Sequence, residues 1–82
     1  MNFTKLDNIQ YGKYRHYKTQ KLYEIMGIVL HSETKEEMVI YKALYYSEQF
    51  GNHQIWVRPK KMFFENVNHN GDSVPRFKYI ST

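Results

Sequence analysis

The chain has no cysteine, and only two prolines and four glycines among its 82 residues. Without cysteine there is no disulfide, no thiol nucleophile and no thiolate ligand, which excludes thiol chemistry and zinc-finger-type sites. Small secreted domains are commonly stapled by disulfides; a chain without them is held by its core alone, and a core of this size is thin. Long apolar runs are missing too. The longest, Met38 to Tyr46, is interrupted by Lys42 and falls far short of the ~20 residues of a spanning helix. No basic-then-apolar stretch of the signal-peptide kind opens the sequence, so a cytoplasmic location is expected. A phosphate-cradling glycine loop, a G-x-S-x-G elbow and a paired-carboxylate pattern are all absent.

Aromatic residues are abundant. Eight Tyr, five Phe and one Trp make up 17% of the chain. Large flat side chains bury much area per residue, which suits a small core, and they also make stacking surfaces for bases or peptides. The net charge is +4, unevenly spread. Lys5, Lys13, Arg15, Lys18 and Lys21 outweigh Asp7 and Glu24 in residues 1–30. Glu33, Glu36, Glu37 and Glu48 outweigh Lys35 and Lys42 in residues 31–53. Arg58, Lys60, Lys61, Arg76 and Lys78 outweigh Glu65 and Asp72 in the remainder. A fold that lays its two ends side by side would gather the basic flanks on one face, favouring an anionic partner.

Residues 1–10 read as a loose lead-in and residues 11–82 as one domain, with no internal repeat. Alternation and β-forming composition predict strands over Gly12–Lys18, Leu22–Leu30, Met38–Tyr46, Gln54–Arg58 and Val74–Ile80. Gly27 inside the second strand marks a bulge or close backbone approach. Thr34-Lys35-Glu36-Glu37 has capping-box form, so a helix over residues 35–48 is the alternative for the third segment. Helical register would leave Tyr and Ile on nearly every face, and strand is preferred. Gly51-Asn52 and Asn70-Gly71 are turns, Pro59 ends the fourth strand, and Lys60–Glu65 forms one helical turn. The expected fold is all-β, a small closed barrel of five strands with that single helical turn.

The residues that could carry chemistry fall in three segments. His31 and Glu33 sit two apart and would share a side of an extended segment; with His16 they would form a His-His-Glu metal set, or the acid–base pair of a small hydrolase. The competing reading makes Glu33 a turn cap, and a metal set drawn from spacing alone is weak. Arg15, Arg58 and Arg76 offer planar forks for carboxylate or phosphate, Arg58 and Arg76 each beside proline and an aromatic or apolar neighbour; an ion pair with Glu33, Glu36 or Glu37 is the structural alternative. Tyr41 and Tyr45, four apart in the third strand, would share a face and could line a groove with Trp56.

These segments also resemble a known family. Gly12-Lys13-Tyr14-Arg15-His16-Tyr17-Lys18 looks like its opening G-x-Y-R-H-Y-K. His31-Ser32-Glu33-Thr34-Lys35-Glu36-Glu37, followed by Val39 to Tyr45, looks like its centre. Trp56-Val57-Arg58-Pro59, Met62-Phe63 and Val74-Pro75-Arg76-Phe77 match its last third. The family is the bacterial domain-of-unknown-function family 1653, and the resemblance covers about Tyr11 to Tyr79. Lys42 stands where the family often has arginine. The resemblance implies an SH3-like barrel and no established activity; a fold of that kind serves peptide binding, nucleic-acid binding and assembly alike.

The leading expectation is a non-catalytic binding module for an anionic ligand: nucleic acid, nucleotide or acidic peptide. Arg15, His16, Arg58 and Arg76 would supply charge and Tyr41, Tyr45 and Trp56 stacking. The hydrolase built on His16 or His31 with Glu33, acting on a phosphorylated or nucleotide substrate, is the second reading. Assembly with a protein partner or another copy through a strand edge is the third. No resident metal or cofactor is expected, and the oligomeric state is left open.

Overall fold

The computed structural model describes residues 9–82. Among them the chain forms nine strands and one short helix: β1 Lys13–His16, β2 Leu22–Leu30, β3 Glu37–Ala43, β4 Tyr46–Ser47, β5 Gly51–Asn52, β6 Ile55–Pro59, α1 Lys60–Phe64, β7 Asn66–His69, β8 Asp72–Pro75 and β9 Phe77–Ser81. The predicted lead-in falls largely on residues 1–8, outside the described ones. Five strands make the main sheet, in the order β6-β3-β2-β1-β9. Every neighbouring pair in it is antiparallel. Two two-stranded hairpins, β4–β5 and β7–β8, stand beside it. Among the described residues no helix is long and apolar enough to cross a membrane.

The first and last strands pair, so the two basic flanks of the sequence do lie side by side. Side-chain alternation then sorts the sheet into two faces. Tyr14, Tyr23, Ile25, Ile28, Val39, Tyr41 and Phe77 point inward, and seven buried residues, Phe63 of α1 among them, form one core cluster. Ile25 and Ile28 are three apart and in a regular strand would face opposite sides. The pairing jumps from Ile25↔Tyr41 to Gly27↔Ile40, leaving Met26 as the extra residue of a bulge. The bulge sends both isoleucines inward, 4% and 1% exposed. This is the irregularity that Gly27 announced.

The third segment is a strand, not a helix, but it stops at Ala43 and not at Tyr46. Val74–Ile80 is not one strand either. It breaks at Arg76, whose backbone N–H goes to Glu65 O and whose carbonyl accepts from Tyr17 N–H. Pro75 has no N–H with which to continue the ladder. β8 therefore pairs with β7, and β9 with β1.

The expected barrel is not formed: the sheet is not closed. No ladder joins β6 to β9 among the described residues, and each pairs on one side only. Side chains occupy the space where a closing ladder would run. Phe63, 0% exposed, stacks flat on Phe77 at 4.2 Å between centroids and 3° between planes. Phe63 also meets the edges of Tyr41 and Tyr14 at 5.1 and 5.7 Å. Helix α1 is thus a plug, started by Pro59 at the end of β6 and anchored by Lys60 Nζ to Glu37 Oε1 at 3.3 Å.

Candidate functional site

A cavity of about 340 Å³ opens at the end of the sheet where β1 stops and β2 starts. Its aromatic wall comes from four strands and a turn. Tyr23 and Tyr41 stand on the inward face of β2 and β3, and Trp56 lies directly across from Tyr41 on β6. Phe77 of β9 closes the floor, meeting the edges of Tyr23 and Tyr41 at 5.6 and 5.5 Å. Phe50 comes over from the β4–β5 turn and sets its edge on Trp56 at 4.9 Å.

The polar groups of the wall are mutually arranged. The Tyr23 and Tyr45 hydroxyls share a hydrogen bond. Burial and that bond hold the Tyr23 phenol above its ordinary range, so it stays neutral. Lys21 Nζ sits 4.5 Å above the Tyr45 ring, a cation–π contact. Arg58 donates from Nε to the Tyr41 hydroxyl at 3.3 Å and lies over the Phe77 ring, Cζ 5.7 Å from its centroid. No carboxylate lines this cavity, whereas Lys21, Arg58 and His16 do. Arg58 forms no ion pair among the described residues, so the two Nη groups of a half-buried guanidinium are left to a ligand or to water.

His16 is held by its own turn. Its Nδ1 accepts from the backbone N–H of Lys18 and Thr19 at 3.2 and 3.5 Å. An acceptor Nδ1 fixes the neutral tautomer with the proton on Nε2. Burial first, then Arg58, Arg76 and Lys18, lower its pKa from the ordinary 6.5. At neutral pH the ring is an uncharged N–H donor.

The His31 turn repeats this construction. His31 Nδ1 accepts from Glu33 N–H and Thr34 N–H at 3.1 and 3.3 Å. In both turns the Thr hydroxyl caps the residue two further on, Lys21 or Glu36. In both, the following residue adopts positive φ, 64° at Gln20 and 62° at Lys35, and donates back to the His carbonyl at 2.9 and 2.8 Å. His16-Tyr17-Lys18-Thr19 and His31-Ser32-Glu33-Thr34 are one H-x-x-T hairpin turn used twice, a local repeat that the sequence reading passes over. Ser47 caps the β4–β5 turn in the same manner, accepting from Gln49 and Phe50 N–H, each at 3.2 Å.

Five of the nine residues singled out in the sequence therefore meet in the cavity: His16, Tyr41, Tyr45, Trp56 and Arg58. Tyr45 gets there from the bend after β3 and not from the strand. The other four do not. His31 follows β2 while His16 sits beside its start, so the nine residues of β2 separate the histidines by on the order of 26 Å. The His-His-Glu metal set requires convergence and is corrected on that ground; no group of His, Asp and Glu that could hold a metal occurs among the described residues. The same distance separates His16 from Glu33, while His31 and exposed Glu33 share one turn that does not line the cavity, the Glu33 backbone N–H donating to His31 Nδ1. Arg76 is a structural tie, bonding Glu65 Oε1 from Nη2 at 2.7 Å and Met62 O from Nε at 3.0 Å. Its acidic partner is none of the three glutamates considered. Arg15 lies on the other face of the sheet, across from Lys78. Tyr23, Lys21 and Phe77 were missed. Tyr23 was findable, since two-residue alternation back from buried Ile25 puts it on the inner face.

The comparisons with known proteins agree with the fold. The model of a family described as a protein of unknown function (DUF1653) matches residues 12–79. A crystal structure of a member of that family from Bordetella bronchiseptica is 30% identical, with a TM-score of 0.77, covering 89% of this chain and 88% of that one. A search of the curated proteins finds no match. With its opening, central and final motifs all inside the matched span, the chain belongs to the DUF1653 family of proteins of unknown function.

Proposed function

We propose that this domain is a non-catalytic binding module for a nucleotide unit, an anion that carries a planar ring. The observation behind this reading is Arg58: a guanidinium set among Tyr41, Trp56 and Phe77, with no carboxylate partner among the described residues, in a cavity with no acidic lining. A guanidinium fork is matched to phosphate. Half-buried Trp56 and exposed Phe50 supply the stacking surface of the wall, worth about 1–3 kcal/mol per base. Neutral His16 adds an Nε2 donor, and Lys21 a second positive charge at the rim. The volume of about 340 Å³ is at the small end of ligand cavities, roughly 300–1,000 Å³.

Trp56 is the single tryptophan of the chain and lines the cavity, so its fluorescence reports occupancy directly. Nucleoside monophosphates and short single-stranded oligonucleotides, titrated at low salt, should quench it saturably, and added salt should weaken the effect. No change in Trp56 emission with any of these ligands at low salt would overturn the reading.

A further inference from the structure

We infer that the nucleotide site continues over the edge of the sheet into a second, basic groove, so that the preferred ligand is a single strand of at least two nucleotides; this extension rests on the reading of the first cavity. The second groove, about 360 Å³, is lined by Arg15, Tyr17, Gln20, His69 and Lys78, and shares His16 with the first. No carboxylate lines it.

Its central feature is an uncompensated pair. Arg15 of β1 and Lys78 of β9 stand directly opposite one another, and like charges in that position repel. Elsewhere on the same face the sheet balances its charges: Lys13 is opposite Glu24, and Glu24 is opposite Lys42 with the ion-pair atoms 4.0 Å apart. On its other side Arg15 faces Leu22. Asp72 pairs with His69 in the β7–β8 hairpin but is not part of the groove lining. A phosphate between Arg15 and Lys78 would supply the missing negative charge.

A line of rings joins the two cavities. Phe77 meets His16 at 5.0 Å, His16 meets Tyr17 at 4.9 Å, and Tyr17 meets His69 at 5.3 Å. Half-buried Tyr17 and His69 are the rings of this line that the second groove presents, and aromatic side chains beside a positive track are how proteins follow single-stranded nucleic acid.

The test compares a nucleoside monophosphate with a tetranucleotide of the same base, on the parent chain and on the Arg15→Gln/Lys78→Gln double variant, read by Trp56 fluorescence. The parent should bind the tetranucleotide at least tenfold more tightly than the monophosphate. The double variant should lose that advantage, keep its monophosphate affinity, and show a slope of log K against log salt smaller by about 0.7, the contribution of the one phosphate held between the two side chains. Circular dichroism confirms that the variant is folded. A tetranucleotide that binds no better than the monophosphate, or one unaffected by the double substitution, overturns the extension and leaves the first cavity's reading standing. Absence of binding by both ligands overturns the two together.

Discussion

Arg58 and Phe77 belong to the opposite edge strands of the sheet, and the guanidinium carbon of the one lies 5.7 Å from the ring centroid of the other. The sheet thus curls until its edges meet by side chains without a closing ladder. The same contact holds the Arg58 fork in the aromatic floor of the cavity, so closure of the fold and construction of the site are one event.

Arg58→Gln should therefore weaken ligand binding more than it weakens the fold. A hydrogen bond to a charged group is worth about 1.5–3 kcal/mol, which corresponds to a loss of roughly ten- to over a hundredfold in affinity. Trp56 titration gives the affinity and thermal unfolding the stability. Binding equal to that of the parent would show that the guanidinium does not touch the ligand. Arg76→Gln is the matched control: its side chain is spent on Glu65 and Met62, and affinity should not change.

Phe63→Ala should be the most damaging single change. The ring is fully buried, stacks on Phe77 and touches Tyr14 and Tyr41. Truncating a buried Phe costs about 3–5 kcal/mol, comparable to the whole stability of a domain this small. Chemical denaturation should show a largely unfolded chain at room temperature. A midpoint near the parent's would mean that α1 is not the plug of the open sheet.

Much of the sheet was legible because its determinants are local. β2 begins at Leu22 and ends at Leu30 as the composition indicates, Gly27 announces the bulge, and Pro59 ends β6. Closure was not legible. Whether β6 and β9 exchange hydrogen bonds depends on what fills the gap between them, and alternation carries no information about Phe63 packing on Phe77. The site divides on the same line. Tyr41 was legible from strand alternation, Trp56 as its aromatic companion, and Arg58 from its fork chemistry between Trp56 and Pro59. His31 and Glu33 misled because a histidine that caps its own turn has the same spacing in sequence as one that binds a metal.

Gly12→Ala should unfasten the chain ends. Gly12 has φ of 137°, and a Cβ there would overlap the carbonyl oxygen of Ser81, with the Thr82 Cα 3.1 Å away. Both obstacles are backbone, so relief requires moving β9 from β1. The expected outcome is a lowered melting temperature together with faster amide exchange in β1 and β9 than in β2 and β3. Uniformly faster exchange across the sheet would contradict a local lesion.

Arg15→Gln by itself should leave stability unchanged or raise it by a few tenths of a kcal/mol, since it removes one partner of a like-charged cross-strand pair. The gain should vanish at high salt, which screens the repulsion in the parent. A clear drop in stability would mean that the Arg15 stem contributes packing that outweighs the repulsion.

Acidification should destabilise the fold through His16. Its pKa in the folded chain lies below the ordinary 6.5, so the unfolded chain takes up a proton more readily. The stabilising contribution of the neutral ring is complete above 6.5 and is lost as pH falls from there through the folded pKa. The physical reason is local: burial and the neighbouring Arg58, Arg76 and Lys18 disfavour a cation, and a proton on Nδ1 would displace the Lys18 and Thr19 N–H groups that it caps. His16→Asn separates the two contributions. Asparagine can cap the turn with its side-chain oxygen but does not titrate. Below pH 6.5 the parent should lose stability faster than the variant, and above it the two should run parallel. If His16→Asn leaves the slope of stability against pH unchanged between 4 and 6.5, the acid sensitivity belongs to other groups.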